Sequence, residues 1–169
     1  MNHYLNYTRG LNIVEGFNIF VTVGTTPFPS LVEHCKDIIV RNNWKAVIQA
    51  PGYDANNNVQ SIEFNSFVSD INELYNTADL VICHAGAGTC YKLAELGKRF
   101  IVVPNLERSD KHQLDLAGYF DKKNYAVVCY DLLELKSAIN KAMANSWNPS
   151  KYNKEEFFST DEIISKLVW

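Results

Sequence analysis

Ala78-Asp-Leu-Val-Ile-Cys-His-Ala-Gly-Ala-Gly-Thr89 is an apolar run that stops at His84 and breaks into Gly86-Ala87-Gly88-Thr89. The next residues, Cys90-Tyr-Lys-Leu-Ala-Glu-Leu-Gly97, contain no proline and close on a glycine, so the stretch reads as a strand, a tight turn and a helix start. The first turn of a helix leaves backbone N–H groups without partners and carries the positive end of the macrodipole, a combination that binds phosphate. Gly86 and Gly88 let an anion approach without meeting a Cβ, and Thr89 adds a hydroxyl donor. A lone Gly-x-Gly serves tight βα packing as readily as anion binding, so the surrounding chain has to decide.

On either side, short apolar runs alternate with helical stripes. Phe17-Asn-Ile-Phe-Val-Thr-Val23 is a strand ending at Gly24-Thr25-Thr26, a turn with backbone N–H groups and two hydroxyls. After Pro27 and Pro29, the residues Leu31, Val32, Cys35, Ile38 and Ile39 recur at helical spacing. Trp44–Gln49 is a second strand, Gln60–Phe64 a third, and the polar run around Asn56–Asn58 a loop between them. Val68, Ile71, Leu74 and Tyr75 make one helical stripe, with Ser69 or Asp70 as its cap. Arg99–Val103 is a fifth strand ended by Pro104, and Tyr125–Cys129 a sixth. Leu132, Leu135, Ile139 and Met143 form the stripe of a further helix. This alternation predicts an α/β fold, a Rossmann-like doubly wound parallel sheet. In such sheets ligands bind beyond the carboxyl ends of the strands, where Gly24–Thr26, His84–Thr89 and the loop Asn105–Gln113 converge.

Composition narrows the function classes. The 169 residues amount to one domain, 47% hydrophobic and 21% charged, which is ordinary for a soluble globular chain. A net charge of −3 gives no general pull toward nucleic acid or an anionic membrane, so phosphate binding has to come from a local site. Cys35, Cys83, Cys90 and Cys129 lack C-x-x-C spacing, which predicts reduced thiols, a cytoplasmic setting and no metal cluster. No Asp-x-Asp pair is present to hold a catalytic metal. The glycine turn follows the fourth strand, whereas nicotinamide enzymes place theirs after the first, which argues against a dehydrogenase. Residues 1–16 read as an N-terminal arm, 17–146 as the folded domain and 147–169 as a polar connector and terminal helix. The apolar residues of that last segment, from Phe157 to Trp169, need a surface: their own domain or a partner subunit.

Three motifs in this order carry a resemblance: Phe20-Val-Thr-Val-Gly-Thr-Thr26, the 78–89 stretch, and Ile101-Val-Val-Pro-Asn105 with Asp110-Lys-His-Gln113. Together they resemble the C-terminal, donor-binding half of glycosyltransferase family 28, over roughly residues 17–145 and in particular its short stand-alone members. The resemblance implies the C-terminal half of a GT-B fold and a UDP-sugar as substrate, with no cofactor and no metal. It places uracil recognition on the backbone of Phe67 and Val68, and the donor pyrophosphate on Gly86, Ala87, Gly88 and Thr89, with Gly24, Thr25 and Thr26 alongside. Asp110, His112 and Gln113 match the loop aimed at the sugar hydroxyls, although His112 and Gln113 also suit a helix cap. His84 falls where an imidazole meets the phosphates or orients the turn.

The general base and the acceptor are implied to come from a membrane-associated partner subunit. Alone, the chain is expected to bind a donor and transfer it poorly. One position departs from the family: a glutamate that grips the ribose diol is expected three residues after Thr89, and Lys92 stands there. An ammonium only donates, so that bidentate acceptance is lost unless Glu95, nearly a turn further on, substitutes. The sequence-level expectation is a donor-binding subunit of an inverting glycosyltransferase with a polyprenyl-pyrophosphate-linked acceptor, acting at the cytoplasmic membrane face. The alternative is a non-catalytic subunit that stabilises such a partner.

Overall fold

The computed structural model describes residues 17–107 and 112–153. The expectations for the arm 1–16, for Asp110 and for the terminal helix lie outside those residues. Six parallel strands form one sheet: β1 (Asn18–Thr22), β2 (Lys45–Gln49), β3 (Ile62–Asn65), β4 (Leu80–His84), β5 (Phe100–Val103) and β6 (Val127–Val128), in the order β3-β2-β1-β4-β5-β6. The helices between them are α1 (Pro29–Arg41), α2 (Ile71–Thr77), α3 (Ala87–Glu95), α4 (His112–Lys122) and α5 (Leu135–Met143).

Side-chain alternation along the strands sends two apolar sets to opposite faces. Ile19, Val21, Leu80, Ile82, Ile101 and Val103 pack under α1 and α5, against Leu31, Cys35, Ile39 and Ile139. Phe20, Val81, Cys83, Phe100 and Val102 pack under α2, α3 and α4, against Tyr75, Leu93 and Phe120. This is the doubly wound arrangement the sequence predicts. Register pairs Thr22 with Cys83 and His84 with Val103, so the loops after β1, β4 and β5 leave the sheet at one level. Strand order reverses between β1 and β4, and the crevice there is the switch point at which such folds bind ligands.

Three elements differ from the sequence reading. Val68 is not on a helical stripe, because α2 starts only at Ile71: the Asp70 side chain accepts the Glu73 N–H at 3.2 Å and caps the helix there. Phe67 and Val68 therefore belong to the loop after β3. The α3 helix begins at Ala87 rather than Cys90, so Gly88 and Thr89 are helical. The sixth strand is cut to two residues by the end of its ladder with β5, which pairs only Ile101 with Val127 and Val102 with Val128. All four cysteines are free and buried.

Candidate functional site at the switch point

The loops after β1 and β4 meet on one imidazole. His84 ends β4 with its ring lodged between two glycines: a Cβ at Gly24 would lie 2.6 Å from its Cε1, and one at Gly86 2.5 Å from its Nε2. Gly24 also sits at φ +66°, a left-handed conformation that side chains other than glycine resist. These two glycines are thus required by the protein's own histidine. Gly88 differs, since a Cβ there meets nothing within 4 Å among the described residues.

The turn itself is used up on one side and open on the other. Gly86 N–H donates to the His84 carbonyl at 2.8 Å, and Cys90 N–H to the Gly86 carbonyl at 2.9 Å. The N-cap, Gly86, has no side chain to offer, and the first turn of α3 contains no acidic residue. The N–H groups of Ala87, Gly88 and Thr89 therefore point out of the helix end with no intrahelical acceptor, which makes a site for an anion. The Thr89 hydroxyl lies against the phenol of buried Tyr75; burial raises the Tyr75 pKa, and the contact with Thr89 opposes that rise.

Burial lowers the His84 pKa below its ordinary value, opposed by the Thr22 backbone, and Nδ1 is buried without a hydrogen bond of normal geometry. The imidazole is therefore neutral at pH 7. Because protonation is disfavoured in the folded state only, stability is held above the unfolded-state pKa of about 6.5 and falls as pH drops toward the lower folded value. A diphosphate bound beside the ring would carry the opposite sign, because it favours the imidazolium. We expect thermal melts between pH 7.5 and 5.5 to show lower Tm below pH 6.5, while diphosphate affinity measured over the same range rises. In a His84→Asn variant both slopes should flatten.

Elsewhere on this edge, Gln113 opens α4 with its Oε1 accepting the Asn105 N–H at 2.9 Å, and the Asn105 side chain accepts the Glu107 N–H at 3.0 Å. Gln113 thus ties the start of α4 to the loop after β5, while His112 is exposed beside it. Phe67 and Val68 stand in the loop after β3 with the Phe67 ring 76% exposed, so packing does not fix that side chain. Thr25 is exposed and Thr26 half-buried in the loop after β1. Glu95 and Lys92 are both exposed on α3, at its far end from the glycine turn. The structure brings Gly24, His84, Gly86, Ala87, Gly88 and Thr89 together, and leaves Glu95 apart.

Gln49, which sequence reasoning passed over, is the polar residue that organises this edge. It ends β2, is buried, and bonds to Thr22, Gly24 and Ser66. A glutamine closing the apolar run Lys45–Gln49 at a carboxyl edge was the available signal. A cleft of about 680 Å³ opens elsewhere, over the face of β1, β2 and β3 between Lys45, Glu63 and Leu74. It holds none of the glycine turns, and the chemistry described above lies at the switch point instead.

An uncapped helix N-terminus at the switch point of a doubly wound sheet defines a Rossmann-like domain of the kind that holds phosphate-bearing ligands in that crevice. The chain belongs to the glycosyltransferase family 28 C-terminal domain family, whose model matches residues 18–167. It is 35% identical over 97 residues to the UDP-N-acetylglucosamine transferase subunit ALG13 of Candida albicans, covering 55% of this chain and 32% of that protein. It is 32% identical over 110 residues to the Streptococcus sanguinis UDP-N-acetylglucosamine–N-acetylmuramyl-(pentapeptide) pyrophosphoryl-undecaprenol N-acetylglucosamine transferase, covering 60% of this chain and 31% of that enzyme. Solved glycosyltransferases share its fold. Among them, the solution structure of ALG13 superposes with a TM-score of 0.58 at 21% identity, covering 83% of this chain and 93% of that one. The chain spans about a third or less of the length of the curated relatives it matches. Among the described residues no helix is long and apolar enough to cross a membrane.

Proposed function

We propose that this chain is the donor-binding subunit of a two-component, inverting glycosyltransferase that takes a hexose-type sugar from a UDP-sugar. The acceptor in this reading is a polyprenyl-pyrophosphate-linked saccharide, presented at the cytoplasmic membrane face by a membrane-associated partner subunit. The observation that carries it is the uncapped N-terminus of α3, with His84 clamped beside it between Gly24 and Gly86. Relatives named for UDP-N-acetylglucosamine transfer to a lipid pyrophosphate make UDP-N-acetylglucosamine the first donor to try.

In this reading the sugar–phosphate bond breaks as the acceptor hydroxyl attacks the anomeric carbon, and negative charge builds on the departing UDP. The N–H groups of Ala87, Gly88 and Thr89 and the α3 dipole are aimed at that charge before it develops, so the step needs no metal. His84 lends a neutral imidazole that accepts a proton as the diphosphate settles. The loop of Phe67 and Val68 takes the uracil, and the sugar hydroxyls are assigned by the family resemblance to Asp110, His112 and Gln113. The proton of the attacking hydroxyl goes to a base on the partner.

The test is transfer. Membranes from cells lacking this chain are given labelled UDP-N-acetylglucosamine with and without the purified protein, and lipid-extractable label is counted. Label that appears only when protein and membranes are combined supports the proposal; transfer of no sugar from a UDP-sugar panel contradicts it. The second reading, a non-catalytic subunit, is favoured by Lys92, which occupies the sequence position where the family resemblance expects a carboxylate that accepts both ribose hydroxyls. If Lys92 only weakens donor binding, Lys92→Glu restores that acceptance and tightens UDP binding about tenfold by calorimetry, the size of one charge-assisted hydrogen bond. Under the second reading the wild-type chain has no UDP affinity to improve.

A further inference from the structure

Two loops that the fold delivers from different strands are held by a single buried side chain. Gln49 is 7% exposed at the carboxyl end of β2, in register with Thr22 on one side and Asn65 on the other. Its Nε2 donates to the Gly24 carbonyl at 3.1 Å and to the Ser66 carbonyl at 3.2 Å, while its Oε1 accepts the Thr22 hydroxyl at 2.5 Å. Two carbonyls can be met only by an NH2 group, so the orientation of the amide is fixed by chemistry. Gly24 packs close on the His84 ring, and so does Gly86, the N-cap of α3. Ser66 is the residue immediately before Phe67 and Val68. A continuous chain of contacts therefore runs from the loop after β3, through Gln49, Gly24 and His84, to the N–H groups of α3.

We propose that Gln49 is a positioning residue that sets the separation between the base-binding loop at Phe67 and the diphosphate-binding turn at Gly86, and so gauges the site for one whole nucleoside diphosphate. The inference rests on the donor-binding reading and adds a residue that touches no ligand. Its distinguishing consequence is that a ligand spanning both loops feels Gln49, whereas a ligand seated in one loop does not. Gln49→Glu keeps size and shape but replaces the NH2 that meets both carbonyls with a third acceptor, which pushes the two loops apart.

The experiment measures binding of UDP, uridine and inorganic pyrophosphate to the full chain by NMR titration. In Gln49→Glu, UDP affinity is expected to fall at least tenfold, while uridine and pyrophosphate each change less than twofold. Equal weakening of all three ligands in Gln49→Glu, or of none, would show a merely structural glutamine and overturn the proposal.

The wild-type chain supplies a measurement independent of whether the variants fold. The Gln49 side-chain amide protons should exchange slowly and shift with UDP, and shift far less with uridine alone or with pyrophosphate alone. Amide resonances that UDP leaves unmoved while it binds contradict the inference and leave the donor-binding reading standing. A wild-type chain that binds no UDP overturns both.

Discussion

Gly86→Ala is expected to abolish UDP binding and to cost about 1–3 kcal/mol of stability, the range for forcing an extra carbon into a filled space. The new Cβ would lie 2.5 Å from Nε2 and 2.7 Å from Cε1 of His84, and the ring has little room to swing away because it also packs against Gly24, where a Cβ would meet Cε1 at 2.6 Å. The imidazole and the cap of α3 must therefore shift together, which moves the first-turn N–H groups off the diphosphate. Gly24→Ala should behave alike and be still less stable, since φ +66° adds backbone strain to the clash. Gly88→Ala is the control that separates ligand from fold. Its Cβ meets nothing within 4 Å among the described residues, so stability should be unchanged or raised by up to about 1 kcal/mol by the better helix former, while UDP affinity falls. Calorimetric titration paired with urea denaturation on the three variants reads both quantities.

Trp147→Ala is expected to cost about 3–5 kcal/mol, the range for removing a buried large aromatic, and to lower the urea midpoint without changing UDP affinity per folded molecule. The ring is 8% exposed in the α1/α5 layer, its N–H donates to the Asn124 side chain at 3.3 Å, and the Arg99 guanidinium lies over it 5.6 Å from its centre. Arg99 in turn donates to the Ala142 and Ala144 carbonyls at 2.7 and 3.0 Å, which closes the end of α5. From Trp147 the chain crosses to the other layer, where Ser150 N–H bonds the Asn124 carbonyl and Tyr152 packs against Tyr91 on α3 and Tyr125 before β6. Residues 147–153 thus lie on the domain itself. A stability loss with intact affinity would separate this scaffold from the site it carries.

The fold was legible because each strand is a short apolar run ended by glycine, proline or a polar residue, and each helix repeats apolar residues at helical spacing. The two-sided burial of Leu80–His84 and Phe100–Val103 is visible as unbroken hydrophobicity, the mark of strands covered on both faces. The glycine turn was legible as well, but the reason for its glycines was only half so. Gly86 reads as room for a ligand, whereas the structure assigns that space to the His84 ring and leaves the open space at Gly88. Such a cause involves residues from two loops, which a linear pattern cannot pair. Gln49 was missed for the same reason, since its three partners are 17 to 27 positions away. Val68 was misplaced because its apolar character fits a helical stripe, and the winning signal was the Asp70 cap two residues later. For Gln113 the sequence offers two roles, the sugar hydroxyls and a helix cap, and the bond the structure displays is a third: it accepts the N–H of Asn105 in the loop after β5, which is not an N–H of α4.

The most direct test of the central claim is calorimetric titration of the purified chain with UDP, set against GDP and inorganic pyrophosphate under identical salt and pH. A diphosphate turn coupled to a uracil-reading loop predicts saturable one-to-one binding of UDP, at least tenfold tighter than either GDP or pyrophosphate. Equal affinity for UDP and GDP, or no heat and no change in Tm with any of the three, would contradict it.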